Sequence, residues 1–315
     1  MRSVACERRE LRGGEQLSFT SVFIVGCGDI GQRVGQLWRE RGVEVTALVR
    51  SPEAQMKLEA LGFSVVRGDL DEPQSLADLP LRNRLVYYFA PPPAQGTHDP
   101  RMAAFCENSL AAHKPWKIVY ISTSGVYGDC AGALVDEDAP LKPLTDRARR
   151  RVAAEEHLRS WQARHDGQVV ILRVPGIYGP GRLPRKRIEQ GVPVLDARQA
   201  APSNRIHAVD LARICVAAGD KGEAGDVFNV CDESGGSMSD YFNAVADACG
   251  LPRPPQISME EAHRMMSPEM LSYLNESRRL DTRRLRDRLR IELLYPDLVS
   301  GLRAALAEES ENARP

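Results

Sequence analysis

One stretch decides the fold, residues 21–31, which read Ser21-Val22-Phe23-Ile24-Val25-Gly26-Cys27-Gly28-Asp29-Ile30-Gly31. Its first half is short, apolar and β-branched, as is typical of a buried strand. Its second half is the pattern G-x-G-x-x-G. Apolar residues then recur at helical spacing, at Ile30, Val34, Leu37 and Trp38. The stretch therefore predicts a strand, a glycine turn and a helix in immediate succession.

Such a succession forms a site for the pyrophosphate of a dinucleotide. Gly26 allows the tight turn, Gly28 lets backbone N–H groups approach the phosphates, and Gly31 lets the helix pack on the strand. Asp29 and Ile30 lie within the glycine pattern and are expected at the cofactor. The helix that follows, residues 32–41, offers N–H groups and a partial positive charge that favour an anion at its N-terminus. A glycine turn with a structural role alone is the alternative.

Strands and helices alternate along the next 150 residues. Further strands are predicted at 43–49, 63–70, 85–89, 117–122 and 169–174, and helices at 52–61, 99–113 and 147–164. This order predicts an α/β fold: a Rossmann-type, doubly wound parallel sheet that binds ligands at the carboxyl ends of its strands. The domains are then a mobile extension (1–20), a dinucleotide-binding domain (21–174, rejoined by about 205–230) and a smaller C-terminal substrate lobe (175–204 and 231–315).

Composition narrows the class of protein. Hydrophobic residues make up 43% and charged residues 27% of the 315, and the net charge is −1, so nothing favours nucleic acid or a membrane as a partner. Seven scattered cysteines, an odd number without a C-x-x-C pair, argue against a disulfide framework. We expect a cytoplasmic protein with a small-molecule substrate and no metal site.

The residue that ends the second strand selects the cofactor. Dinucleotide-binding folds place Asp or Glu there for NAD, about 20 residues after the glycines, whereas an Arg accommodates the 2′-phosphate of NADP. Arg50 occupies this position, and Ser51 adds a hydroxyl. The sequence favours NADP, with NAD possible; an Arg that is simply solvated is the alternative.

Several later motifs occur in a characteristic order. They are Ser122-Thr123-Ser124-Gly125-Val126-Tyr127-Gly128, the segments 172–182 and 204–212, Phe228-Asn229-Val230, and Leu293-Leu294-Tyr295-Pro296. With these motifs the chain resembles the extended short-chain dehydrogenase/reductase family, the NAD-dependent epimerase/dehydratases of nucleotide sugars. The resemblance runs from about residue 21 to about residue 305.

The resemblance implies roles for individual residues. It implies that Ser122 hydrogen-bonds the reacting oxygen. The cofactor residues that it implies are Asp69 and Leu70 over the adenine, Ala90 and Pro91 over the ribose, and Pro175 beside the nicotinamide. Those that it places at the substrate are Ser124, Tyr178, Arg205 and His207. It also implies that helices at about 98–113 and 146–164 pair in a possible homodimer.

One departure limits the chemistry. The family's proton donor is the Tyr of Tyr-x-x-x-Lys, and here Arg147 and Arg151 stand at the Tyr and Lys positions. A guanidinium stays protonated, so Arg147 is a poor proton shuttle, although Arg151 can still bind the nicotinamide ribose. Tyr127 is the best-placed phenol for proton transfer, followed by Tyr178 and His207. Packing alone can also explain each of them.

Two functions of different class remain open. The first is an NADP-preferring oxidoreductase or epimerase that acts on a sugar-like or nucleotide-sugar-like substrate with unusual proton transfer. The second is a non-catalytic NADP-binding redox sensor or scaffold.

An arginine-rich run lies in the C-terminal part of the chain. Seven arginines lie between Ser277 and Arg290, interleaved with leucines at helical spacing. A solvated helix is predicted, with the alternative that one arginine holds a substrate phosphate.

Overall fold

A computed structural model describes residues 18–312. The predicted N-terminal extension lies outside the described residues as far as Leu17. The strands are β1 (Val22–Val25), β2 (Val45–Val49), β3 (Ser64–Arg67), β4 (Leu85–Tyr88), β5 (Lys117–Thr123), β6 (Leu134–Val135), β7 (Val169–Val174), β8 (Gly176–Tyr178), β9 (Val194–Leu195), β10 (Arg205–His207), β11 (Val227–Asn229), β12 (Gln256–Ile257) and β13 (Arg279–Leu280). The helices are α1 (Asp29–Glu40), α2 (Pro52–Ala60), α3 (Pro100–Ala104), α4 (Asp146–His165), α5 (Arg185–Glu189), α6 (Ala208–Lys221), α7 (Met238–Cys249), α8 (Met259–Met265), α9 (Pro268–Leu274), α10 (Arg283–Leu289) and α11 (Leu298–Asn312).

Seven strands form the central sheet, in the order β11-β7-β5-β4-β1-β2-β3. The central strand β1 pairs in parallel with β2 and with β4, so that Val22 lies opposite both Val45 and Leu85. After β3 the chain returns to the other side of β1, which places the switch point of the topology between β1 and β4. Ligands of doubly wound sheets bind at such a point. The predicted Rossmann-type α/β fold is confirmed.

Helix α1 packs on this sheet through one apolar face. Val34 and Trp38 are buried, and the Trp38 indole donates a 2.9 Å hydrogen bond to Tyr87 Oη on β4. The Tyr87 hydroxyl in turn donates to Cys215 O on α6 at 3.1 Å. These two bonds fix the helix that follows the glycine turn against both a strand and a second helix.

The predicted helix at 99–113 is shorter and less regular than its pattern suggests. Helix α3 begins after Asp99, whose Oδ1 accepts a hydrogen bond from Met102 N, and it passes at Phe105 into a π-helical segment that ends at Leu110. Within that segment the Asn108 amide donates to Ala104 O at 2.9 Å. This side chain occupies the carbonyl that an α-helical backbone bond would use.

The described chain divides into two compact units. The first comprises the described residues through Ser122, Arg149–Leu172 and Ala212–Phe228. The second comprises Thr123–Ala148, Arg173–Leu211 and the described residues from Asn229 onward. Each has its own apolar cluster, around Phe23 and Phe105 in the first and around Phe242 and Val245 in the second.

This division differs from the predicted domain boundaries. Residues 123–148 belong to the second unit because β6 pairs with β13, with Leu134 opposite Arg279. Residues 205–211 belong there because β10 pairs with β8. Within residues 18–312 no helix is both long enough and apolar enough to cross a membrane.

Candidate functional site

The glycine turn after β1 is open at its centre and tightly packed on either side. Gly26 has a φ of +87°, and a Cβ added there would lie 2.7 Å from Ala90 Cα, so the turn presses against the end of β4. A Cβ on Gly31 would lie 3.0 Å from Gly26 O. At Gly28, by contrast, a Cβ would meet nothing within 4 Å. The backbone at Gly28 is therefore accessible to a ligand.

The first turn of α1 complements this opening. Its N-cap residue, Gly28, offers no side chain to the orphan N–H groups, which therefore keep their capacity for an anion. The carboxylate of Asp29 accepts a 2.9 Å hydrogen bond from Arg33, which offsets its negative charge, and Ile30 is buried. Burial raises the pKa of the Cys27 thiol to about 12, so the turn carries no thiolate that would repel phosphate. The turn and the helix fit a dinucleotide pyrophosphate.

The ends of β2 and β3 meet beside this turn. The Arg50 side chain is 70% exposed, and its Nε lies 3.9 Å from Asp69 Oδ2, a long and solvated ion pair. Ser51 Oγ accepts a hydrogen bond from Ala54 N and thereby caps α2. Leu70 is half-buried against the apolar cluster of the first unit. Arg50 is thus loosely held, whereas its neighbours are fixed.

Arg101 ties two loops of the predicted cofactor site together. From α3 it makes two hydrogen bonds to the Asp71 carboxylate, of 2.7 and 2.6 Å, and a third of 3.1 Å to Pro91 O. The bond to Arg101 lowers the pKa of Asp71. The loop after Asp69 is therefore anchored to the loop at Ala90 and Pro91. Sequence reasoning missed Arg101 because no local pattern marks partners 30 residues apart.

At the end of β5 two adjacent hydroxyls face different surroundings. Ser122 is 2% exposed, and its Oγ donates a 2.6 Å hydrogen bond to Glu155 Oε1 on α4, whose Oε2 accepts from Arg159. Thr123 is half-buried, and its Oγ1 accepts a 3.2 Å bond from Gly125 N. Because successive strand residues alternate in direction, the more accessible hydroxyl is that of Thr123. This alternation is the signal that could have indicated Thr123 in the sequence.

Arg151 lies on α4, one turn before Glu155. Its Nη1 donates to Ile121 O at 3.0 Å and to Tyr120 Oη at 3.1 Å. Burial raises the pKa of Tyr120 to about 12, against the opposing charge of Arg151. The guanidinium is thereby held along the end of β5.

Tyr127 belongs to a buried polar network of the second unit. It is 1% exposed, donates a 2.7 Å hydrogen bond to Asn229 Oδ1 and accepts a 2.9 Å bond from Arg173. Arg173 also donates to Glu137 O, and the Asn229 amide donates to Val135 O. The phenol therefore joins three segments of chain, which is the packing alternative to a role in proton transfer.

The remaining predicted residues also lie in the second unit. The rings of Tyr178 and His207 meet edge-on at 5.2 Å, and His207 Nδ1 accepts from Val209 N. Burial and the nearby charge of Asp232 raise the pKa of Tyr178. The buried Arg205 donates to Ser237 O at 3.2 Å. Ser124 is buried and Pro175 is half-buried.

The two units thus divide the predicted residues between them. The first unit contains Gly26, Gly28, Asp29, Ile30, Gly31, Arg50, Ser51, Asp69, Leu70, Ala90, Pro91, Ser122 and Arg151. The second contains Ser124, Tyr127, Pro175, Tyr178, Arg205 and His207. Every predicted cofactor residue except Pro175 therefore belongs to one unit.

A polar cluster that sequence reasoning missed surrounds Arg147 in the second unit. Arg147 donates a 2.9 Å hydrogen bond to Ser272 Oγ. Nearby, Glu276 Oε2 accepts from Arg278 at 2.8 Å, whereas its buried Oε1 has no hydrogen-bond partner among residues 18–312. Burial raises the pKa of Glu276, against the charges of Arg278 and Arg147, and Asp129 raises it further. This is a buried carboxyl group with one oxygen that accepts no hydrogen bond from the described residues.

Metal ligands do not cluster in the part of the chain that the structure describes: no group of three or more His, Cys, Asp or Glu side chains could hold an ion there.

Comparison with known proteins identifies the family. Residues 22–231 match the NAD dependent epimerase/dehydratase family. The chain belongs to this family. Protein YeeZ of Escherichia coli strain K12 is 29% identical over 246 residues, which cover 75% of this chain and 85% of YeeZ. The dTDP-D-glucose 4,6-dehydratase of Mus musculus is 30% identical over 122 residues, 36% of this chain and 34% of the mouse protein, so that match spans about a third of the relative.

Solved structures share the fold over nearly the whole chain. A functionally unknown conserved protein from Silicibacter pomeroyi DSS is 28% identical, with a TM-score of 0.78 over 92% of this chain and 99% of that one. UDP-glucuronic acid 4-epimerase from Bacillus cereus, in complex with NAD, is 18% identical, with a TM-score of 0.72 over 93% and 100% of the two chains. At that identity the epimerase likeness shows the fold of the family alone.

Proposed function

We propose that this member of the epimerase/dehydratase family is an NADP-dependent oxidoreductase or epimerase that acts on a sugar-like or nucleotide-sugar-like substrate. The observation that carries the proposal is the open backbone at Gly28 beside the uncapped first turn of α1. The named relatives that act on dTDP-glucose or UDP-glucuronic acid support the substrate class.

The preference for NADP rests on Arg50. Its contact with Asp69 is exposed and 3.9 Å long, and such surface pairs contribute only about 0–1 kcal/mol. A 2′-phosphate offers the same guanidinium a stronger, charge-assisted partner. The Bacillus cereus epimerase is in complex with NAD. The preference for NADP therefore rests on Arg50 of this chain and not on that neighbour.

Each part of the site then has a task. The turn at Gly28 and α1 bind the pyrophosphate, and Arg101 holds the two loops that border the adenine and the ribose. Arg151 binds the nicotinamide ribose and supplies the positive charge of the missing lysine. The bound nicotinamide supplies hydride acceptance and return.

For proton transfer we propose Glu276. As a substrate alcohol is oxidised to a ketone, its hydroxyl proton passes to Glu276 Oε1, and the same proton returns to the oxygen on reduction. Two observations support Glu276 over Tyr127. Its Oε1 lacks a partner among the described residues, whereas the Tyr127 phenol is engaged with both Asn229 and Arg173. Glu276 also lies in the field of Arg147, the residue at the family's Tyr position.

A non-catalytic NADP-binding sensor is the second candidate. The loss of Tyr-x-x-x-Lys and the structural bonding of Tyr127 favour it. It predicts cofactor binding without any oxidation or reduction of the cofactor across a panel of sugars, nucleotide sugars and carbonyl compounds.

Calorimetric titration with NADPH and NADH tests the proposal. We expect NADPH to bind at least about tenfold more tightly, a difference of about 1.4 kcal/mol. Arg50→Glu should invert the preference because it replaces the partner of the phosphate with a repelling charge. Equal affinities in the wild type would reject the NADP assignment, and the substrate panel would separate enzyme from sensor.

We also propose a cytoplasmic homodimer. The six described cysteines are free, which supports a reducing compartment. The pairing surface is that of α3 with its π-helical extension and of α4. A monomer mass by light scattering at micromolar concentration would refute the dimer.

A further inference from the structure

The arginine-rich run at Ser277–Arg290 is largely unused by the proposed function. Most of its arginines have partners within the second unit. The pairs are Arg278 with Glu276, Arg279 with Gly132 O, Arg283 with Asp281, Arg284 with Glu137, and Arg286 with Glu233. Arg288 is engaged as well. The Arg290 guanidinium makes no hydrogen bond, ion pair or ring contact with any residue of 18–312.

The backbone of Arg290 is unusual too. It caps the carboxyl end of α10 with a φ of 49° and a ψ of 50°, a left-handed conformation that usually selects glycine. Arg290 is not needed to offset the partial negative charge at the carboxyl end of α10, because Arg286 and Arg288 already lie in the last turn. Non-glycine residues held in this conformation carry a cost in free energy and cluster at ligand sites.

Arg290 is one of the residues that line a cavity of about 500 Å³ in the second unit. The wall is mostly apolar, with Leu285, Leu293 and Pro296 among its members. Two carboxylates belong to the wall. Glu233 is paired with Arg286 at 2.9 Å, and Glu292 has a partner as well. The volume lies within the range of small-molecule sites.

A second polar group lies at the opposite end of α10. Thr282 occupies the N-cap position, yet its hydroxyl makes no capping hydrogen bond, and Thr282 is also among the residues that line the cavity. Thr282 and Arg290 are eight positions apart along the helix, roughly 12 Å at 1.5 Å per residue. A ligand that uses both groups must be elongated, with an apolar middle.

We propose that this cavity binds an organic phosphate monoester, with its phosphate on Arg290, its apolar body against Leu285 and Leu293, and a hydrogen-bond acceptor on Thr282. A phosphate matches the guanidinium in charge and geometry. None of the residues that line the cavity has a part in the proposed function, and the phosphate site does not depend on that function.

Calorimetric titration of the full chain with 4-nitrophenyl phosphate tests the proposal. We expect saturable binding that Arg290→Gly weakens at least about tenfold, as loss of a charge-assisted bond does. The same substitution should raise the thermal midpoint, because glycine adopts this φ without strain. Thr282→Val should weaken 4-nitrophenyl phosphate but leave phenyl phosphate unchanged, since only the former carries an acceptor at its far end.

Two matched variants locate the binding. Arg283→Ala removes an exposed arginine of the same helix outside the cavity, and Arg50→Ala removes the proposed cofactor contact. Both should bind 4-nitrophenyl phosphate as the wild type does. Undiminished binding by Arg290→Gly, or no binding by the wild type at millimolar concentration, would overturn the proposal. Loss of binding in Arg50→Ala would also overturn it, because the phosphate would then occupy the cofactor site.

Discussion

The hydroxyl of Ser122 is bonded to Glu155 at 2.6 Å, inside the first unit and away from solvent. This contact joins the end of β5 to α4. Ser122 therefore holds strand β5 against α4, and the neighbouring Thr123 carries the more accessible hydroxyl.

Ser122→Ala should therefore lower stability. The substitution leaves Glu155 Oε1 buried without its donor, which costs about 1–3 kcal/mol. Urea denaturation measures the loss. Thr123→Val should instead lower turnover at least about tenfold, which corresponds to about 1.4 kcal/mol of barrier. Normal stability of Ser122→Ala together with lost turnover would show that Ser122 acts on the substrate.

Tyr127→Phe should also act on stability. It removes the donor to Asn229 and the acceptor of Arg173, so the free energy of unfolding should fall by about 1–3 kcal/mol. The pH dependence of turnover should stay as in the wild type. A changed pH profile in a variant of unchanged stability would restore Tyr127 as the proton carrier.

Glu276→Gln should abolish proton transfer with little change in shape. Positioned acid–base groups contribute about a hundredfold or more, so turnover should fall by at least that factor while NADPH affinity is retained. Glu260→Gln, which alters an exposed ion pair with Arg264, serves as a control. Turnover within a few-fold of the wild type would exclude Glu276.

The same variant should change how stability depends on pH. Because burial raises the pKa of Glu276, the folded state holds its proton more tightly than the unfolded chain does. Its stabilising contribution is complete below the ordinary glutamate pKa of about 4.3 and is lost as pH rises through the raised value. Urea denaturation across this window should show a smaller decline in Glu276→Gln than in the wild type. Parallel curves would contradict the raised pKa.

Arg101→Ala should weaken the cofactor site indirectly. Without the bonds to Asp71 and Pro91 O, both loops lose their anchor, and we expect NADPH affinity to fall about fivefold, or about 1 kcal/mol. Arg101→Lys keeps the charge without the two-pronged geometry and should give an intermediate affinity. Calorimetry checks both, and unchanged affinity in Arg101→Ala would show that the loops need no clamp.

The sequence predicts the parts of this molecule that depend on local pattern. The run from Val22 to Gly31 contains its own strand, turn and helix, and strand–helix alternation was enough to predict the parallel sheet. Long-range partners escaped prediction. Three features depend on side chains that are distant in the sequence: the hydrogen bond of Ser122 to Glu155, the bonds of Arg101 to two loops, and the polar cluster at Glu276. Local periodicity does not indicate any of them. The π-helical segment escaped because a single side chain, Asn108, competes for a backbone carbonyl.

The division into two units has an optical consequence. All three tryptophans, Trp38, Trp116 and Trp161, belong to the first unit. Trp38 and Trp161 are fully buried there. Indole fluorescence therefore originates in the first unit alone, because the second unit contains no tryptophan. Independent melting of the two halves would appear as circular dichroism and indole emission changing at different temperatures, without any label being introduced.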